Sequence, residues 1–419
     1  MSKKGLVIIT IAAMIIVAGS IVYRYQKEHN DTIITPISIP INSASFSNVV
    51  DANNQFAIDL YSQYKSRENN VFFSPYSILS ALTMTYEGAK GQTASEIQKV
   101  LHLPSDKDKM RSDFIKINDE LNKSDKPYKL ITANALWLQK DYPFLSNYLD
   151  VIKKYYDGIA TNLNFKINVE QAILTINKWV ETQTNGKIKN IISSLDKATK
   201  LVLTNAIYFK ANWVNPFDIN STKNDDFHLN SESTIKVKMM HQIDHFAYGE
   251  NKDIQLIELP YEGEDISMIV LLSRTNSLDN LEKIFSVKLL NSYRQLLKMQ
   301  KVELSLPKFT FETKSTMADT LSKMGMPTAF QSLKADFSGM SELGDLFIDQ
   351  VIHQTFINVD EKGTEAAAAT AIVMAAGAAP SKVTEPIKIF NADHPFIFII
   401  QQKQSGNILF IGTVNDPLR

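Results

Sequence analysis

The 419-residue chain contains no cysteine. That absence excludes a disulfide framework, a thiolate metal site, a cysteine nucleophile and a lipidated cysteine, so any tether to a membrane has to be polypeptide. Charge of one sign is also missing. Lys+Arg 44 against Asp+Glu 45 leaves a formal net charge of −1, and such a chain has no electrostatic footprint for nucleic acid. Glycine-rich phosphate loops, a Gly-x-Gly-x-x-Gly turn and a Gly-x-Ser-x-Gly elbow are absent as well, which removes the usual signatures of nucleotide-binding and hydrolase folds. With 44% hydrophobic residues the chain can nevertheless bury a large core.

The residues that could carry chemistry are few. His241 and His245 stand four apart, but no Glu follows His241 and the surrounding pattern is not helical, so a loop or strand end is expected there and no metal or cofactor. His394, after Asp393, has the makings of an oriented base. The Pro395 and apolar run that follow favour a hydrogen-bonded structural histidine.

Organisation is clearer. Gly5 to Tyr23 carries no charge over 19 residues, about 28 Å of helix and close to a bilayer core. Residues 1–25 are expected to be a signal-anchor or a cleaved signal peptide, with residues 5–23 as the membrane contact and everything after them exported. Residues 26–45, interrupted by Pro36 and Pro40, read as a linker, and residues 46–419 as the folded domain. Within it, Val49, Ala52, Phe56, Leu60 and Tyr64 recur at helical spacing. Ile78–Tyr86, Thr93–Leu101 and Ile173–Val180 also look helical. Leu130–Leu138, Leu201–Phe209, Val302–Phe311, Phe347–Val359 and Pro395–Ile400 have the composition of strands. Helices clustered early and strands in runs point to an α+β fold with large mixed or antiparallel sheets.

One stretch departs from this. From Gly363 to Pro380 nearly every residue is small. Four consecutive alanines suit an exposed helix or a low-complexity linker. Read as a strand, however, alternate residues from Thr364 end in Ile372 and Met374, so the segment is equally acceptable in a sheet with those two on a core face. A segment at home in both settings is what a bistable element requires.

An ordered set of motifs then resembles one family, the serpins, from about residue 46 to the C-terminus. They are Asn70-Val-Phe-Phe-Ser-Pro-Tyr-Ser-Ile, Met84-Thr-Tyr-Glu-Gly-Ala-Lys-Gly-Gln-Thr, Asn177-Lys-Trp-Val, Leu203-Thr-Asn-Ala-Ile-Tyr-Phe-Lys-Ala-Asn-Trp, Leu306-Pro-Lys-Phe, Ala335-Asp-Phe-Ser-Gly-Met, Val359-Asp-Glu-Lys-Gly-Thr-Glu-Ala-Ala-Ala-Ala-Thr, Phe390-Asn-Ala-Asp-His-Pro-Phe and Gly406-Asn-Ile-Leu-Phe-Ile-Gly. The resemblance implies large mixed sheets with a cluster of helices and an exposed reactive-centre loop near the C-terminus. It implies an irreversible suicide inhibitor, not an enzyme: a target serine protease cleaves the loop, is held as a covalent acyl-enzyme, and is carried along as the loop enters the main sheet. The inhibitor is expected to be a monomer, extracytoplasmic, and either membrane-anchored or secreted.

Residue by residue, Glu361, Gly363, Thr364, Glu365, Ala366, Ala367, Ala368, Ala369 and Thr370 match the hinge. Counting sixteen positions from Glu361 lands on Gly377, which gives Gly377–Ala378 as the scissile bond. The stretch before Phe390 is longer than in typical animal members, so neighbouring alanines stay open as the cleavage site. Small residues there suit elastase-like or subtilisin-like enzymes. Ser74, Ser77, Asn205 and His353 match the polar cluster where the sheet parts, and Trp213 the aromatic residue near the top of the opening. The alternative reading is a non-inhibitory member that serves as a protease substrate or a binding protein.

Overall fold

The computed structural model describes residues 48–65, 69–123, 125–275, 277–364 and 386–419. Residues 1–25, the linker 26–45, Glu365, Ala366 through Thr370, Gly377 and Ala378 lie outside them.

Helix Val49–Tyr64 opens the described chain. Asn48 caps it by accepting from the Asp51 N–H at 2.9 Å, which satisfies one of the four orphan donors of a helix start. Helix Pro75–Gly88 is buried on every side. It has no exposed face, as expected of a helix through the middle of a domain, and it begins with Ser74 as cap and Pro75 at its first turn. Amphipathic helices Gly91–Val100, Lys107–Leu121, Ser146–Tyr156 and Val169–Gln183 follow, each burying one stripe.

The strands, in chain order, are β1 (Val71–Phe73), β2 (Lys129–Gln139), β3 (Ile159–Leu163), β4 (Leu201–Asn212), β5 (Lys223–His228), β6 (Thr234–Glu250), β7 (Ile254–Pro260), β8 (Ile266–Ser273), β9 (Lys298–Pro307), β10 (Phe309–Thr316), β11 (Ile348–Asp360), β12 (Gly363–Thr364), β13 (Lys388–Asn391), β14 (Phe396–Gln402) and β15 (Ile408–Val414). They form two mixed sheets. One runs β1-β15-β14-β8-β7-β6-β9-β13 with β5 on β6, and the other β10-β11-β12-β4-β2-β3. β8, β14 and β15 are buried at every position, which is why their sequences are mostly apolar and do not alternate.

The run Val302–Phe311, expected as one strand, is two. It breaks at Lys308, where the chain leaves the nine-stranded sheet after Pro307 and enters the six-stranded one at Phe309. Pro307 has no N–H to extend a ladder. His241 and His245 also differ from the loop or strand-end expectation, since both sit inside β6. No group of three metal-binding side chains is present among the described residues. Among those residues no helix is long and apolar enough to cross a membrane.

Where the two sheets meet, Phe72 stacks on Phe410 and Phe398 at 5.2 and 5.6 Å and meets Phe311 edge-on at 6.2 Å. Aromatic contacts of this kind add to the area each ring buries. Phe72→Ala removes these three ring contacts from a closed core and is expected to cost about 3–5 kcal/mol; a clear drop in the thermal midpoint of the purified domain checks it.

Candidate functional site

The six-stranded sheet is closed along its middle by direct parallel pairing of β4 with β11, from Leu201–Ile348 to Ile207–Thr355. At one level of this ladder the side chains are polar. Asn134, Asn205, His353 and Ser315 are register partners across β2, β4, β11 and β10, with the first three buried. Ser74 and Ser77, at the start of helix Pro75–Gly88, lie beneath them.

The bonding orients His353, Asn205 and Ser74. The Ser74 N–H donates to His353 Nε2 at 3.1 Å, so Nε2 carries a lone pair. Asn205 Nδ2 donates to the Ser77 carbonyl at 2.9 Å and to Asn134 Oδ1. Its Oδ1 therefore faces His353 Nδ1, which must donate. Ser74 Oγ donates to the Leu409 carbonyl at 2.6 Å and accepts from the Ser77 N–H at 3.2 Å, tying the cluster to β15 in the other sheet. His353 is thus a neutral Nδ1–H tautomer. Burial pushes its pKa down to about 3, against the opposing bond at Asn205.

At the end of the ladder β4 and β11 part, and β12 fills the gap. Gly363 pairs with Asn212 and Asp360, and Thr364 with Ala211 and Val359. Gly363 and Thr364 of the sequence-predicted hinge are thus already in the sheet. A Cβ at Gly363 would lie 2.1 Å from the Ala211 carbonyl oxygen, so only glycine fits between these strands. Thr364 is buried and its hydroxyl meets that of Tyr261 at 2.6 Å. Tyr261 stacks on Trp213 with ring centroids 4.4 Å apart, and Trp213 Nε1 donates to the Asp360 carbonyl at 3.0 Å.

Glu361 turns the chain just before β12. Its carboxylate accepts from Lys308 Nζ at 2.6 Å and from the Thr222 hydroxyl at 2.8 Å. Burial raises its pKa, but the bonds from Lys308, from its own N–H and from Thr222 outweigh that and hold it below the usual carboxylate value.

Of the residues singled out in the sequence, Ser74, Ser77, Asn205 and His353 come together in one cluster, and Trp213, Glu361, Gly363 and Thr364 in a second. Asn134, Tyr261, Lys308 and Thr222 were missed. Asn134 had a signal, a lone amide inside the apolar run of β2, and Lys308 stood within a quoted motif without a role. His394 belongs to neither cluster. Its Nε2 bonds the Ser273 carbonyl at 2.9 Å and its Nδ1 the Asp393 carboxylate at 2.7 Å, leaving no free nitrogen for catalysis.

These two clusters on a sheet of this topology define a class, and comparison with known proteins names it. The family model described as serpin (serine protease inhibitor) matches residues 51–417. A serpin-like protein of Thermococcus kodakarensis is 45% identical over 370 residues, covering 88% of this chain and 86% of that protein. The human leukocyte elastase inhibitor is 39% identical over 379 residues, 87% of this chain and 98% of that one. Among solved structures, human thyroxine-binding globulin superposes with a TM-score of 0.81 at 30% identity, over 88% of this chain and 99% of that one. The chain belongs to the serpin family.

Two outcomes are expected. A histidine whose folded pKa is lowered contributes stability that is whole above its unfolded pKa of 6.5 and drains away as pH falls toward about 3. The thermal midpoint is therefore expected to decline across that window, and His353→Gln to flatten the decline. Separately, Gly363→Ala is expected to unseat β12 at a cost of about 1–3 kcal/mol, read as faster hydrogen exchange at the Thr364 amide and a shifted Trp213 emission.

Proposed function

We propose that the protein is an irreversible suicide inhibitor of serine proteases and not itself an enzyme. Its loop is cleaved at Gly377–Ala378, and the segment from Glu365 then enters the six-stranded sheet between β4 and β11. The protease serine attacks the Gly377 carbonyl, the Ala378 amine leaves, and the acyl-enzyme is displaced before water can release it.

The observation that carries this reading is the register of β12. Continued residue by residue, it sets Glu365 opposite Lys210, Ala366 opposite Phe209, Thr370 opposite both Asn205 and His353, and Met374 opposite Leu201, where β4 begins. The insert therefore has the length of the slot and ends three residues before Gly377. Thr364, Ala366, Ala368, Thr370, Ile372 and Met374 fall on the face of β4 that carries Leu201, Leu203, Ile207, Phe209 and Ala211, all in the main core. Thr370, the one polar residue after Glu365 in this run, lands on the polar row and can bond the amide and imidazole that insertion separates. At roughly 3.3 Å per residue an insert of about 10 residues moves the attached protease on the order of 30 Å or more.

The native form is then a kinetic trap above a more stable inserted form. The small residues around Gly377 fit elastase-like or subtilisin-like proteases. Residues 1–25 export the domain, residues 26–45 link it, and residues 5–23 either stay as a membrane anchor or are cleaved, so the inhibitor acts outside the cytoplasm as a monomer.

Mixing the domain from Phe46 with an elastase-like or subtilisin-like protease and recording intact mass under denaturing conditions tests the reading. The expected product is an adduct of protease plus inhibitor lacking residues 378–419. Cleavage at Gly377 with no adduct from either protease class would establish a substrate and overturn the inhibitor.

A further inference from the structure

β2 is longer than its neighbour β3. Their pairing begins only at Ala135–Ile159 and runs to Gln139–Leu163, whereas β2 pairs with β4 from Lys129 onward. The Gln139 N–H donates to the Lys200 carbonyl on the β4 side at 2.8 Å. In an extended strand alternate residues point the same way, so the odd-numbered residues of β2 bond β4. The backbone N–H and C=O groups of Leu130, Thr132 and Asn134 point to the opposite edge. The Ala135–Ile159 bridge takes the Asn134 carbonyl, which accepts from the Ile159 N–H; among the described residues nothing pairs with the Asn134 N–H or with either backbone group of Leu130 and Thr132 there.

That edge does not end in bulk solvent. It forms one wall of a cleft of about 340 Å³. Tyr76, Tyr156 and Trp179 supply ring surfaces around it, and Ser80, Asn118 and Gln183 polar groups. Rings with a few polar groups make a typical recognition cleft. An exposed strand edge is a template for another strand, and natural folds normally blunt it with a charge, a proline or a cover. The side chains from Leu130 to Asn134 bring neither charge nor proline.

We propose that this cleft is a docking site for an extended peptide segment of a partner protein, which adds to β2 as a strand in line with β3. The backbone pattern selects the occupant. Three N–H and two C=O groups spaced along one edge match a peptide backbone of about five residues. The ring walls then favour apolar or aromatic side chains at alternate positions. The site shares no residue with the protease-facing loop, and Asn134 joins it to the polar cluster, so an added strand braces β2 against β4. The proposal rests on the fold alone and stands or falls independently of protease trapping.

Hydrogen exchange on the protein without protease tests it. In the free protein the amides of Leu130, Thr132 and Asn134 are expected to exchange fast, and those of Ile131, Ala133 and Ala135 slowly. Equal protection of the two sets would mean the edge is already covered and would overturn the proposal. The probes are capped pentapeptides alternating Val or Tyr with Thr, at about 1 mM, the weak end of specific binding. They are expected to slow the three fast amides roughly tenfold, while twins N-methylated at every residue leave them unchanged. Failure of all the peptides, or equal effects from methylated and unmethylated forms, would sink strand addition. Thr132→Pro removes one outward N–H without touching a bond to β4, which an edge position tolerates. It is expected to abolish peptide protection with the thermal midpoint nearly unchanged. Should that variant fold poorly, the methylated peptides on the unaltered protein decide alone.

Discussion

The hydrogen bond between His353 and Asn205 is the constraint on which the sheet depends. It lies where two long strands run parallel, and it joins groups with no water around them to bond instead. A buried polar group left without a partner costs more than the bond itself gains. The cluster therefore favours two arrangements only: closed, with imidazole and amide facing each other, or open with a third polar group between them. Intermediate separations leave Asn205 Oδ1 and the Nδ1–H of His353 bare. A core of leucines at the same level would yield gradually. The polar row instead gives the sheet a threshold.

The upper cluster sets where opening starts. Gly363 and Thr364 already stand between β4 and β11, so the strands are parted at one end and closed at the middle. Three unrelated forces hold that wedge. Glycine permits the close approach to Ala211, the Tyr261 hydroxyl meets Thr364, and the Glu361 carboxylate is pinned by Lys308 and Thr222. Lys308 reaches Glu361 because the chain changes sheets at that residue, so the break in the Val302–Phe311 run and the ion pair have one cause. On the proposed mechanism an inserting strand lengthens an existing one and does not have to nucleate a new opening.

The sequence made the long buried elements readable because their apolar runs and periodicities are local: helix Val49–Tyr64, the helix after Pro75 and the strands around Leu130, Leu201 and Phe396 all fall where pattern places them. The break at Lys308 was not readable, since a proline late in a β-branched run permits either a strand end or an edge. His241 and His245 were misplaced for a related reason: alternation with exposed neighbours on a sheet face looks like a loop when the covering partner is unknown. Ser74, Ser77, Asn205 and His353 were found through family motifs. Their bonding was not, because the tautomer of His353 and the orientation of Asn205 depend on Asn134 and the Ser77 carbonyl, contributed by chain segments far away. Tyr261 was silent in sequence for the same reason, as its hydroxyl has meaning only once Thr364 is above it.

β2 stands at the end of this chain of dependence. Its inner edge is bonded to β4, and through Asn134 to Asn205 and His353; on its outer edge the pairing with β3 stops at the same residue, so that edge is open from Lys129 to Ala133 and at the Asn134 N–H. The row thus runs from Ser315 to the point where the pairing of β2 with β3 ends. Opening between β4 and β11 requires β4 to move with β2 or against it. Strands bonded on both edges move as a unit, and a strand bonded on one edge can follow its neighbour. The freedom of β2's outer edge before Asn134 is therefore part of the mechanical setting of the slot, on the opposite side of β4 from where the hinge is seated, and a two-state cluster between them is the physical link that coupling of distant sites requires.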